Sequence, residues 1–164
     1  HFIRADVDRN LPNDTNLNAL FNNPTNGRLT LTTGVYLFRG MFIVTAMSAT
    51  SGNAQIDLLG AGTATIGSWM WCLSGIDNST PAAIDKADLT PYFQVANTAA
   101  SAVTAGTGTA MRFNVEGSFE VTSGGTFIPS IDQVTAAAAV VQDGSFFMAE
   151  RIGDSGLVSI GSWD

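Results

Sequence analysis

The sequence has one histidine, one cysteine and one lysine among its 164 residues. Each scarcity removes a class of function. Nucleophilic catalysis needs a base beside the nucleophile, most often histidine. The only histidine is His1, at the start of the chain, so a Ser-His-Asp or Cys-His site is excluded. Zinc takes clustered His and Cys ligands, whereas His1 and Cys72 are far apart. A single cysteine closes no internal disulfide, so this is not a disulfide-framed scaffold. Cys72 reads as a small buried hydrophobe.

Positive charge is also short. Six arginines and Lys86 face 14 acidic residues, for a net charge of −7. Phosphate backbones and anionic membrane surfaces are bound mainly through Lys and Arg, so neither nucleic acid nor an anionic bilayer is an expected partner. Charged residues make up only 13% of the chain and hydrophobic ones 45%, against about 25% charged in an average soluble protein. That balance excludes disorder, a coiled coil and a basic tail. Long apolar runs are missing too. Val35–Val44 is interrupted by Arg39 and Gly40 and is about half the ~20 residues a spanning helix needs, so no membrane insertion is expected. His1–Asn10 carries charges of both signs and does not read as a signal peptide. With no initiator Met, the chain reads as a piece of a longer one.

What is present is period two. His1–Gly27 holds seven asparagines, a turn-favouring composition. It is expected to be a strap from an upstream region, with one helical turn at Asn16–Phe21 capped by Asp14 or Thr15. Residues 28–164 are expected to form the domain. Arg28–Thr32 alternates. Val35–Val44 is apolar on both faces, with Tyr36, Phe38, Phe42 and Val44 on one and Val35, Leu37, Met41 and Ile43 on the other. A strand apolar on both faces must be covered on both, which points to a second subunit. Ala54–Leu59, Thr65–Leu73, Tyr92–Val95 and Ser145–Ile152 read as further strands, and Leu157–Ile160 as a closing one. Met111–Val121 alternates most cleanly, with Phe113, Val115, Phe119 and Val121 inward. Ser123-Gly124-Gly125 reads as a hairpin turn into Thr126–Ile131. Gly75–Pro91 reads as a long polar loop. The alanine run before Val141 reads as an extended crossover, a short helix at Val134–Val141 being the alternative. Turn signals at about 8–12 residue spacing indicate an all-β antiparallel sandwich or jelly roll.

Little of this supports catalysis. Glu116 and Glu120 share a strand face but lie roughly 13 Å apart at ~3.3 Å per residue, beyond the ~5–9.5 Å of glycosidase pairs. Asp77, Asn78, Asp85 and Asp88 lack the spacing of a calcium loop. No enzyme activity, no cofactor and no metal site is expected. Trp69 and Trp71 share one strand face. They fill a core or an interface, or else stack on sugars. Trp163 is a C-terminal anchor or an exposed contact.

Asp14–Leu20, followed by Thr33-Gly34-Val35-Tyr36-Leu37-Phe38-Arg39-Gly40, resembles the opening of C-terminal, receptor-binding domains of bacteriophage tail fibres. The Gly-x-Tyr-x-Phe strand is similar to that of C1q and tumour-necrosis-factor-like jelly rolls. Phe113–Val121 with Gly124–Pro129, and the closing Val141–Gly153, fit the same pattern. The resemblance covers roughly Arg28–Gly153. It implies a homotrimeric jelly roll on a virion, at a tail-fibre tip, joined to upstream fibre domains and binding a host cell-surface glycan or protein receptor. Tyr36, Phe38 and Phe42 are then the expected trimer interface. A purely structural trimer, decorating a capsid or registering a fibre, is the alternative. For the binding reading, loops on rigid sheets are the expected contact points. Asp77, Asn78, Asp85 and Lys86 of the long polar loop would supply hydrogen bonds and Tyr92 a stacking face, with Trp69, Trp71 and Trp163 as further candidates.

Overall fold

The structure, a computed structural model, describes residues 1–22, 27–48, 54–77, 88–95, 101–104 and 109–154. Its strands in chain order are β1 (Phe2–Arg4), β2 (Arg9–Asn10), β3 (Asn18–Ala19), β4 (Leu29–Leu31), β5 (Gly34–Thr45), β6 (Ala54–Asp57), β7 (Thr65–Asp77), β8 (Asp88–Val95), β9 (Ser101–Thr104), β10 (Met111–Ser123), β11 (Gly125–Phe127), β12 (Ser130–Gln133), β13 (Val140–Val141) and β14 (Phe146–Gly153). The fold is all-β and every described pairing is antiparallel. An eight-stranded sheet runs β1-β14-β5-β10-β7-β8, with β13 bridging β5 and β2. A four-stranded sheet runs β3-β12-β6-β9, and β4 pairs β11.

The long strands form where the sequence alternates. On β5, Tyr36, Phe38, Phe42 and Val44 are buried, and on β10 so are Phe113, Val115, Phe119 and Val121. These residues face the small sheets and join Ile56, Leu58, Leu31, Phe127 and Ile131 in one core. At its centre Phe119 lies 5.0 Å from Phe127, 5.2 Å from Trp69, 5.4 Å from Tyr36 and 5.5 Å from Phe38, ring centre to ring centre. The Tyr36 hydroxyl is satisfied locally: it donates to the Thr32 carbonyl and accepts from the Thr32 amide.

At Gly117 the large sheet leaves no room for a side chain. Gly117 lies between Phe38 on β5 and Trp71 on β7. A Cβ there would stand 2.1 Å from the Met70 carbonyl oxygen and 2.6 Å from Trp71 Cβ. Backbone at that distance can only yield by parting the strands. Gly117→Ala is therefore expected to cost about 1–3 kcal/mol by overpacking, read as a lower urea midpoint with an unchanged slope.

Several expectations are corrected. Within the expected strap His1–Gly27, the described residues 1–22 are woven into the sheets: β1 pairs β14, β2 pairs β13 and β3 pairs β12. Leu20 and Phe21 are fully buried. Asn16–Phe21 forms no helical turn. Asp14 instead accepts from the Asn16 amide and the Asn18 side chain, a local bend that competes with helix. Ser123-Gly124-Gly125 is not a hairpin turn, because β11 pairs β4 and not β10. Among the described strands only β7 and β8 are paired consecutive neighbours, since the chain keeps crossing between sheets. The expected loop Gly75–Pro91 is strand at both ends, in β7 and β8. Residues 134–139 are extended or bent, in line with the expected extended crossover and not with the alternative helix. Leu157–Ile160 lies outside the described residues.

Candidate functional site

The residues expected to form the subunit contact are core residues of the single chain. Tyr36 and Phe42 are 0% exposed and Phe38 is 4% exposed. The chain's own small sheets cover that face, so a partner subunit has no access to it. Trp69 and Trp71 are likewise inside, 4% and 3% exposed, and their rings are not open stacking faces. Asp77 ends β7 opposite Met111, and Tyr92 lies in β8 opposite Trp71. Asn78, Asp85, Lys86 and Trp163 lie outside the described residues.

Among the described residues, the other face of the eight-stranded sheet is the one left open. Period two dictates its membership once the core face is fixed. Across the middle of the sheet the register aligns Met148, Arg39, Glu116 and Cys72, and the next row aligns Glu150, Leu37, Ser118 and Met70. Leu37 is 49% exposed, Met70 56% and Met148 37%. Phe2 on β1 and Ile152 on β14 are also exposed. An open hollow of about 580 Å³ sits on this face, bordered by Leu37, Arg39, Met70, Cys72, Glu116 and Ser118. Two smaller hollows continue it along the sheet, one toward Val35 and Glu120, the other toward Met41 and Phe146. The result is a trough with apolar walls and one opposite-charge pair, Arg39 and Glu116, at directly opposed positions.

Cys72 stands in this trough. It is half-buried rather than the core residue expected from sequence, and its thiol lies 3.9 Å from Glu116. Partial burial, then the Glu116 charge, hold the thiol above its ordinary pKa. It stays protonated at neutral pH and is a poor nucleophile. Glu116 and Glu120 both lie on β10, among the trough residues. Among the described residues no group of three or more His, Cys, Asp and Glu could hold a metal ion.

A second concentration of charge lies on the four-stranded sheet. Asp57 and Asp132 are diagonal neighbours on β6 and β12. Asp57 is buried and accepts from the Leu59 and Gly60 amides. Desolvation raises both carboxyls, and Asp57 raises Asp132 further. A raised carboxyl opposes folding above its folded-state pKa, and the penalty fades as pH falls toward the unfolded value. Asp132→Asn is therefore expected to raise the melting temperature at pH 7. The gain should shrink as the pH falls and vanish below about 3.9; a gain that is constant with pH would contradict this.

Sequence reasoning missed the trough. The signal was there in part: Leu37 alternates with Tyr36 and Phe38, and Met70 lies between Trp69 and Trp71. Which face would be left open was not encoded locally. No protein-family model matches the chain, and no curated protein is significantly similar to it.

Proposed function

We propose that this chain is a tail-fibre tip domain of a bacteriophage virion, a homotrimeric jelly roll that binds a polysaccharide or lipopolysaccharide of the bacterial host during adsorption and performs no catalysis. The observation that carries the reading is the open face of the eight-stranded sheet. Leu37, Met70, Met148 and Ile152 form an exposed apolar surface of the kind that marks an interaction site on a soluble domain. Leu37, Met148 and Ile152 lie on β5 and β14, strands whose sequences resemble the fibre domains, and Met70 lies on the adjoining β7. A second and third copy are the proposed occupants, so the trimer contact moves from Tyr36, Phe38 and Phe42 to the opposite face of the same strand. Arg39 and Glu116 can then pair across the interface.

The low charge density suits an assembly that works outside a cell. Receptor contacts fall to segments away from the trough. Fluorescently labelled domain should adsorb to host cells and to a subset of a bacterial glycan array. A trimer that adsorbs to neither has only a structural role. Release of reducing sugars from capsule or lipopolysaccharide would overturn the non-catalytic part of the reading.

A further inference from the structure

A different cavity, of about 500 Å³, opens at the seam between the eight-stranded and four-stranded sheets. β2 contributes Arg9, β3 contributes Asn18, β12 contributes Ser130, and the turn after β6 contributes Gly60 and Ala61. Its size falls within the ~300–1,000 Å³ of small-molecule sites.

Arg9 is the unusual member. Its guanidinium is half-buried, and desolvation holds its pKa below the ordinary arginine value. Among the described residues no carboxylate lies within ion-pair distance of it; the ion pair there is Arg151 with Asp154. Nη1 donates to the Phe21 carbonyl. Nε is buried without a partner, and no hydrogen bond of Nη2 is seen among the described residues. Nε–H and Nη2–H lie along one edge of the planar group, the edge whose two donors match a carboxylate. The chain thus grips the guanidinium by one corner and leaves its fork unused. Packing alone does not account for this, because a methionine would fill the seam without burying an unpaired donor.

The rest of the cavity supplies acceptors. Asn18 spends its amide donor on Asp14 and Asn16, which leaves Oδ1 for a hydroxyl. Ser130 Oγ donates to the Ile128 carbonyl and keeps its lone pairs. One cationic fork beside neutral acceptors fits a ligand with one carboxylate and several hydroxyls.

We propose that this seam cavity binds a uronic acid residue of a polysaccharide, its carboxylate held by the Arg9 guanidinium and its hydroxyls by Asn18 and Ser130. The carboxylate rests on the cavity; a sugar as its carrier rests also on the adsorption reading. The net charge of −7 gives no long-range attraction to an acidic polymer, so recognition is by contact within the cavity.

The test is an NMR titration of the domain at constant ionic strength with sodium glucuronate, sodium acetate and glucose, following the Arg9 Nε–H resonance. Glucuronate should shift that resonance and saturate at lower concentration than acetate, and glucose should leave it unmoved. Arg9→Met should weaken glucuronate binding about tenfold or more. Ala61→Phe, on the exposed turn, should also block the cavity while the melting temperature stays unchanged, which separates lost binding from lost folding. Acetate binding as tightly as glucuronate overturns the sugar, and no shift with either, or unchanged binding in both variants, overturns the site. Adsorption of the wild-type domain to host cells is measured in parallel. Adsorption without glucuronate binding removes this cavity and leaves the adsorption reading; glucuronate binding without adsorption removes that reading and leaves the carboxylate site.

Discussion

Phe119→Ala is expected to destabilise the fold by about 3–5 kcal/mol, the cost of emptying a large aromatic site in a close-packed core. That is a large share of the ~5–15 kcal/mol that holds a domain folded. Phe119 is 2% exposed and sits among four other aromatic rings. Those rings come from β5, β7 and β11, elements of two different sheets. Truncation therefore removes contacts on several sides, and neighbours anchored in different sheets cannot all close the gap. The stacked pairs with Phe127 and Tyr36 add a geometric component beyond lost area. Urea unfolding followed by tryptophan fluorescence measures the loss. Val134→Ala, at a position 50% exposed, should shift stability by no more than about 0.5 kcal/mol. A Phe119→Ala loss of similar size would mean that the core is not organised around this ring.

The second large effect concerns assembly. Leu37→Asp combined with Met70→Asp is expected to convert a trimer into a folded single chain of 17.1 kDa. The two side chains lie in one row of the trough, either side of Ser118. In an isolated chain both are about half exposed, so carboxylates there keep their water and the fold should stand. Inside a subunit contact the same carboxylates would be buried without partners, next to Glu116, at a cost of several kcal/mol each. Light scattering with circular dichroism checks both halves: the mass should fall roughly threefold while the β-sheet signal is kept. A wild-type chain that already scatters as 17.1 kDa at micromolar concentration would end the trimer. A double variant that stays trimeric would move the contact elsewhere.

The sequence by itself determined the class of fold and the inward face of its long strands. Alternation is a local property: once Phe113, Val115, Phe119 and Val121 share a face, burying that face follows from the hydrophobic effect. The expectation of no histidine-based catalysis likewise rested on composition alone, His1 being the only histidine. Tertiary structure decided which strands pair. Ser123-Gly124-Gly125 has the composition of a hairpin turn, yet β11 leaves for β4, because pairing depends on residues far along the chain. The first 27 residues read as an outlying strap, yet β1 and β2 join the eight-stranded sheet and β3 the four-stranded one through pairings with β14, β13 and β12, far along the chain. The two-sided apolar strand shows the limit most clearly. Sequence required a cover for each face of β5. Only the packing of the small sheets revealed that Tyr36, Phe38 and Phe42 are covered from within and that Leu37 is left open. Arg9 gave no local signal at all, since a guanidinium with an unused edge exists only where β2, β3 and β12 meet.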